Sequence, residues 1–408
     1  MSSEIPKLHD ILDLKYGFPL TSEDRIKGNL PVYGSNGITD YHNESKVKGP
    51  GIIVGRKGNP GTINWSDLDF FPIDTTFYVE MKDSSIPIFY AYLALKQMNL
   101  PWYAADSAVP GINRNTILNL PFEFDISEKH MQVNMNNAEN MNYLIQNTER
   151  IRNLAKDMVS ALFRSWFIDF DPVKAKSEGK LPYGMDEETA ALFPDSLEDS
   201  VMGPIPTGWR ILTLDEILDT IIDHRGLTPK KLGGDWAEEG YPAISAMNIK
   251  NGKIVKRQNI GYVSEELYRK WMKVELKSGD ILLTSEAPLG EIYYLFDEEK
   301  IVTSQRVFGI RSNPNSMPSI FLRYYLDSHF GQYELHARAS GSTVSGIRQS
   351  ELRKIKIITP SFEIMNYFSN KVKPLIENHY NCDNQLISLE RTRDALLPRL
   401  MSGELGAN

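Results

Sequence analysis

A single cysteine, Cys382, in 408 residues leaves no intramolecular disulfide to stabilise the fold. Long hydrophobic runs are missing too: no stretch approaches the ~18–20 apolar residues of a membrane span. The opening MSSEIPKLHD has neither the basic segment nor the apolar core of a signal peptide, so a cytoplasmic protein with no membrane contact is expected. There is no Gly/Ser tract or homopolymer, and 41% hydrophobic with 24% charged residues is the composition of ordinary globular domains. Net positive charge is also lacking. The 45 Lys and Arg against 53 Asp and Glu give −8, which excludes a large, uniformly basic nucleic-acid sleeve. Acidic residues concentrate in stretches such as MDEETAALFPDSLEDS (185–200), so a local basic face is compatible with the total, with a partner supplying much of any phosphate contact.

The common catalytic signatures are absent. There is no GxxxxGK[ST] phosphate loop, no HExxH, no CxxC and no GxSxG elbow. NLPF (119–122) resembles the Asn-Pro-Pro-Phe loop of adenine methyltransferases, but Leu120 stands where the first proline belongs. With no Gly-rich cofactor turn after an early strand, no S-adenosylmethionine site is expected in this chain. No metal site is expected either, because neither a second Cys nor a spaced His accompanies Cys382 and His379.

What is present is a repeat. DSAVPGINRNTILNLPFEF (106–124) aligns with GSTVSGIRQSELRKIKI (341–357), setting Val109 on Val344, Gly111 on Gly346, Ile112 on Ile347 and Leu120 on Ile355. Upstream, PGIIVGRKGNPGTI (50–63) aligns with GDILLTSEAPLGEI (279–292), and LPVYGSNGI (30–38) with YPAISAMNI (241–249). Short β-branched and aromatic runs broken by Gly, Pro and Asn are the pattern of strands and tight turns. A helix, IFYAYLALKQM (88–98) or IFLRYYLDSHF (320–330), follows each set. The expected class is α+β: two mixed, largely antiparallel sheet domains related as a pseudo-twofold repeat.

Each globular part leads into a segment poor in Gly and Pro with helical period. In the first, Met141, Leu144, Thr148, Ile151, Ala155, Met158 and Leu162 are spaced 3 and 4 in alternation. In the second, Phe368, Val372, Leu375, His379, Cys382, Leu386, Leu389, Arg393, Leu396 and Leu400 continue such a seam. A mean period of 3.5 is the coiled-coil pattern, and each helix is the other's natural partner. An amphipathic helix lying on its own domain is the competing explanation for either alone. About 40 residues at 1.5 Å each make a rod of ~60 Å. The expected organisation is a first domain over 1–127, a long helix over 128–168, and a linker over 169–207 with a short helix around Glu187 to Leu192. A second domain over 208–360, a second long helix over 361–402 and a tail over 403–408 complete it.

Polar side chains sit on glycine-held turns at corresponding places in both halves. YGSNG (33–37) holds Ser35 and Asn36, and GRKG (55–58) holds Arg56 and Lys57 directly after an apolar strand. Glycine lets backbone approach a ligand closely, Asn can bond adenine with two hydrogen bonds, and Arg guanine. The candidate DNA-contacting residues are Ser35, Asn36, Arg56, Lys57 and Arg114 in the first half, and Asn248, Lys250, Ser285, Arg306 and Arg348 in the second. Any one of these loops also reads as an ordinary surface turn; scaffold positions kept while tips change are what a two-headed reader needs.

Over essentially its whole length the chain resembles the specificity (S) subunit of Type I restriction-modification systems. The likeness rests on the globular–helix–globular–helix order, on LPVYGSNGI and PGIIVGRKGNPG, on ALFRSWFIDFDPVKAK (161–176), on LFPDSLEDSVMGPIPTGW (192–209) and on RDALLPRLMSGEL (393–405). The resemblance implies a non-catalytic subunit with two target-recognition domains, each reading half of a bipartite double-stranded DNA target, spaced by an antiparallel coiled coil. It implies two methyltransferase (M) subunits and two restriction/translocase (R) subunits as partners, and S-adenosylmethionine, ATP and Mg2+ on those partners and not on this chain. Two other readings stay open: a diverged DNA methyltransferase, which would bind S-adenosylmethionine alone, and a scaffold or silent specificity cassette, which would bind methyltransferase without directing methylation.

Overall fold

The computed structural model describes residues 5–104, 111–341, 345–402 and 404. The expected match of Val109 to Val344 lies outside the described residues. The chain divides into two compact units, Met1–Thr148 with Gln385–Asn408, and Glu149–Asn384. The two long helices, Glu128–Phe167 and Phe362–Met401, are shared between them, so each unit holds one globular part and a portion of each helix. Among the described residues no helix is long and apolar enough to cross a membrane, and no group of His, Cys, Asp or Glu is placed to hold a metal ion.

The repeat is exact at the level of strand order. In the first unit a four-stranded antiparallel sheet runs Leu12–Tyr16, Thr76–Met81, Gly51–Gly55, Ile63–Ser66; in the second the order is Leu218–Asp223, Val307–Ser312, Ile281–Ser285, Leu289–Tyr294. Ile52, Ile53 and Val54, and Ile281, Leu282 and Leu283, are completely buried, because these inner strands are covered on both faces. A second, three-stranded sheet also recurs. Leu30–Gly34 pairs antiparallel with Gly37–His42 and parallel with Phe71–Pro72, as Tyr241–Ile244 pairs with Gly261–Val263 and Val302–Thr303. Short helices Leu8–Ile11 and Leu214–Ile217 start the large sheets, and Leu8 N and Leu214 N donate to Leu120 O and Ile355 O at 3.0 and 2.8 Å. This accounts for NLPF: it closes the domain edge, with Phe122 buried.

Within each unit the long helices pack antiparallel. In the first, Asn134 Nδ2 donates to Leu400 O at 3.2 Å, and Met131 and Ala138 share a core with Leu397 and Met401. In the second, Arg152 meets Asp383 while the Phe163 ring lies 5.5 Å from that of Phe368. That end is aromatic: Phe167 also contacts Phe321 at 4.9 Å and Phe368 at 5.1 Å, each pair adding about 0.5–1.5 kcal/mol beyond burial.

Two expectations are corrected. On the first helix Leu144, Ile151 and Met158 are about half exposed; the inward column is Ile145, Arg152 and Val159, one residue further round, while Thr148 and Ala155 are buried as expected. Both columns have the same 3–4 spacing, and the inward one contains an arginine that finds its carboxylate on the other helix. The 169–207 segment is packed and not a loose linker. Phe170, Val173, Phe193 and Ile205 join the second unit's core, and Lys176 Nζ donates to Ala190 O at 2.9 Å and also to Phe193 O. The short helix forms at Glu187–Ala191, capped by Asp186, whose carboxylate accepts from Thr189 N at 2.8 Å.

Candidate nucleic-acid interface

In the first unit the sheet ends bring two turns together. Ser35 and Asn36 form the two-residue tip of the Leu30–Gly34/Gly37–His42 hairpin, with Gly37 at φ +100°. Beside it the Gly55–Gly61 loop folds back on itself, Gly61 N donating to Gly55 O at 2.8 Å. A Cβ on Gly55 would sit 2.3 Å from Asn59 O, so only glycine allows this closure. Asn59 N donates to Ser35 Oγ at 3.4 Å and Thr62 Oγ1 to Ser35 O, which locks one turn on the other. Arg56 N and Lys57 N both donate to Thr75 O, at 2.9 and 3.1 Å.

The side chains divide by what they are free to do. The Arg56 guanidinium lies over the Tyr16 ring at 5.1 Å, with Phe77 at 6.0 Å, and the residue is half-buried. Lys57 and Asn36 are exposed. Arg114 is engaged in the fold: Nε donates to Leu14 O at 2.6 Å and Nη2 pairs with Asp13. Burial alone would raise the Asp13 pKa, but Lys15 at 3.0 Å, the Leu14 amide and Arg114 outweigh it and hold the carboxyl below its ordinary value. Ser35, Asn36, Thr62, Asn64, Lys96 and Asn99 line an open recess of about 480 Å³, a surface of amides and hydroxyls suited to base edges.

In the second unit Ser285, Arg306 and Arg348 gather on one loop cluster. Ser285 N donates to Arg306 O at 2.8 Å, Ile347 N donates to Ser285 O at 2.9 Å, and Arg306 Nε pairs with Glu286 at 2.8 Å. Arg306 stands at φ +66°, a left-handed conformation costly for a residue with a Cβ. Ser285 is buried, so its hydroxyl does not reach a groove in this conformation; Arg348 is exposed at the start of Gln349–Leu352. Asn248 is 1% exposed and holds its own turn: Oδ1 accepts from Ser245 N at 3.1 Å and Ser245 Oγ at 2.7 Å. Its amide is a structural clamp. Lys250 is exposed on the Ile249–Lys250/Lys253–Ile254 hairpin, which is tied to the large sheet where Asn251 N donates to Glu291 Oε2 at 2.6 Å.

Arg225 was not anticipated. Its guanidinium lies 4.5 Å from the Phe308 ring and donates to Asp223 and, at 3.2 Å, to Ile347 O. Tyr16 pairs in register with Phe77 as Asp223 does with Phe308, so both units place an arginine over the same core aromatic, reached from different strands. No shared motif marks it: aligning LHDILDL (8–14) with LDEILDT (214–220) sets Arg225 on Pro19.

Residues 206–386 match the family model for the Type I restriction modification DNA specificity domain. The chain is also 23% identical over 387 residues to the Type I restriction enzyme HindI specificity subunit of Haemophilus influenzae, covering 83% of this chain and 82% of that protein. Residues 206–386 thus carry a Type I restriction modification DNA specificity domain. A second specificity subunit, that of the MjaIX enzyme of Methanocaldococcus jannaschii, is 24% identical over 324 residues, covering 78% of this chain and 68% of its own. The fold is also that of the crystal structure of the Type I S subunit from M. genitalium, with a TM-score of 0.63 at 17% identity, covering 97% and 95% of the two chains. The second unit's large sheet, Leu218–Asp223 to Val307–Ser312, lies within the matched residues.

Proposed function

We propose that this chain is a specificity subunit of a Type I restriction-modification system, a non-catalytic, two-headed DNA reader. Each globular part reads one half of a bipartite double-stranded target, and the paired long helices set the unread spacer and dock two methyltransferase subunits. Two restriction/translocase subunits complete the assembly, S-adenosylmethionine, ATP and Mg2+ belong to those partners, and the complex works in the cytoplasm. The observation that carries this reading is the duplication itself. Strand order, the glycine at Gly61 or Gly290 and the bridge from that loop to Gly111 or Gly346 recur, while the tips change from Arg56-Lys57 to Ser285-Glu286. One scaffold with two sets of tips is what two different words require.

A net charge of −8 fits a reader whose phosphate contacts come largely from its partners. The test is co-expression with its methyltransferase followed by modified-base sequencing, together with S-adenosylmethionine titration of the isolated chain. One split motif and no binding by the isolated chain support the reading. Methyltransferase co-purification without sequence-dependent methylation would make it a scaffold.

A further inference from the structure

The loops that bear the reading tips have a second flank. Gly61 and Gly290 occupy equivalent places, at φ +83° and +89°, and each lets another segment press against the loop. A Cβ on Gly61 would sit 2.4 Å from Pro101 N; one on Gly290 would sit 2.5 Å from Gln332 Oε1, and Gln332 Nε2 donates to Gly290 O at 3.1 Å. The residues that follow are Trp102 and Tyr333. Both stand out from the surface, 76% and 63% exposed. Their supports differ: Trp102 is on the 3-10 turn Leu100–Ala104, Tyr333 on the helix His329–Ala337. Backbone form and flanking sequence have diverged, yet each unit keeps a large aromatic on the outside, where it adds little to the core.

We propose that Trp102 and Tyr333 are matched DNA-contacting residues, each laying its ring against the base or sugar edge beside the half-site its unit reads. This rests on the two-headed reading above. DNA is favoured over a protein partner by the surroundings. Trp102 rises beside exposed Lys96 and Asn99 and the recess of Ser35 and Asn36, with exposed Lys57 on the same loop as Gly61. Rings set among cationic and amide groups, Trp102 with the 42% exposed Tyr103 beside it, suit the edge of a nucleic-acid groove, whereas protein docking faces are larger contiguous apolar patches. In the second unit the chain beyond Tyr333 returns to the loop cluster, Ser340 N donating to Gly346 O at 2.8 Å, two residues before exposed Arg348.

The experiment uses the complex with methyltransferase subunits and duplexes carrying the sequenced target, with binding measured at two salt concentrations. Trp102→Ala and Tyr333→Ala should each weaken target binding about tenfold, since an apolar contact with a base or sugar edge is lost. The salt dependence should stay unchanged because no phosphate contact is removed. Trp102→Phe should restore most of the affinity, and 2-aminopurine fluorescence should report each ring at a different half-site. Affinity within twofold of the parent in both alanine variants, with sequence preference intact, overturns the aromatic proposal alone. Loss of methyltransferase co-purification would assign the rings to a protein contact and also overturn it. A parent complex with no preference among duplexes would sink the two-headed reading and this proposal with it.

Discussion

Arg152 on the first long helix and Asp383 on the second face each other at 3.3 Å, and Lys253 of the Ile249–Lys250/Lys253–Ile254 hairpin reaches the same carboxylate oxygen at 3.1 Å. His379 adds a fourth group, its Nδ1 3.0 Å from the Arg152 carbonyl and its Nε2 3.4 Å from Asp383 Oδ2. One carboxylate thus fastens two helices and the hairpin that carries Lys250. Asp383→Ala should cost roughly 1–2 kcal/mol, less than a buried pair because the site is partly open to water. Thermal melts of the full chain check this; an unchanged melting temperature contradicts it.

A more deeply buried pair lies under the second sheet. Arg311 Nε and Nη2 donate to the two oxygens of Asp280 at 2.8 and 2.6 Å, and the Asp280 side chain is 2% exposed. Removing the carboxylate leaves the largely covered Arg311 guanidinium only the Glu275 carbonyl, so Asp280→Ala should lose about 3 kcal/mol in urea unfolding. A loss under 1 kcal/mol would mean that water replaces the carboxylate there.

Arg56 and Asn248 are predicted to separate reading from structure. Arg56→Ala should leave stability nearly unchanged, cost about 1–3 kcal/mol of binding and relax one position of the first half-site. Asn248→Ala should destabilise the second domain by about 1–3 kcal/mol through its orphaned turn and leave the recognised sequence as it was. Modified-base sequencing and thermal melts of both variants check the pair; an unchanged first half-site in Arg56→Ala removes Arg56 from the contacts.

Burial holds the His379 pKa below its ordinary value, with the Arg152 carbonyl and Asp383 pulling the other way and Lys253 and Arg152 adding to the lowering. The unfolded chain therefore takes up the proton first, and this contribution to stability is lost as pH falls below about 6.5. His379→Gln should flatten the fall in melting temperature between pH 7 and 5. A profile parallel to that of the parent contradicts this.

The long helices were legible because a 3.5-residue period persists over about six turns in the first and about nine in the second, and the inner strands because Ile52-Ile53-Val54 and Ile281-Leu282-Leu283 are unbroken apolar runs. Which of two adjacent columns faces inward was not legible, since Leu144 and Ile145 fit the same spacing and the choice depends on Arg152 finding Asp383. Asn248 and Ser285 were chosen for side-chain chemistry, but burial is set by contacts between segments distant in sequence, as between Ser285 and Ile347. Arg225, Trp102 and Tyr333 were missed for the same reason: their equivalence lies in what packs on Phe308, Gly61 and Gly290, and not in any shared motif.

The most direct test lengthens the paired helices. One heptad added to each, in register, adds ~10 Å of rod, about three base pairs of DNA at ~3.4 Å per step. Modified-base sequencing beside the parent should return the same two half-sites with a spacer longer by about that amount. Altered half-sites, or an unchanged spacer in a folded, methylating complex, would contradict two readers held apart by a shared helical strut.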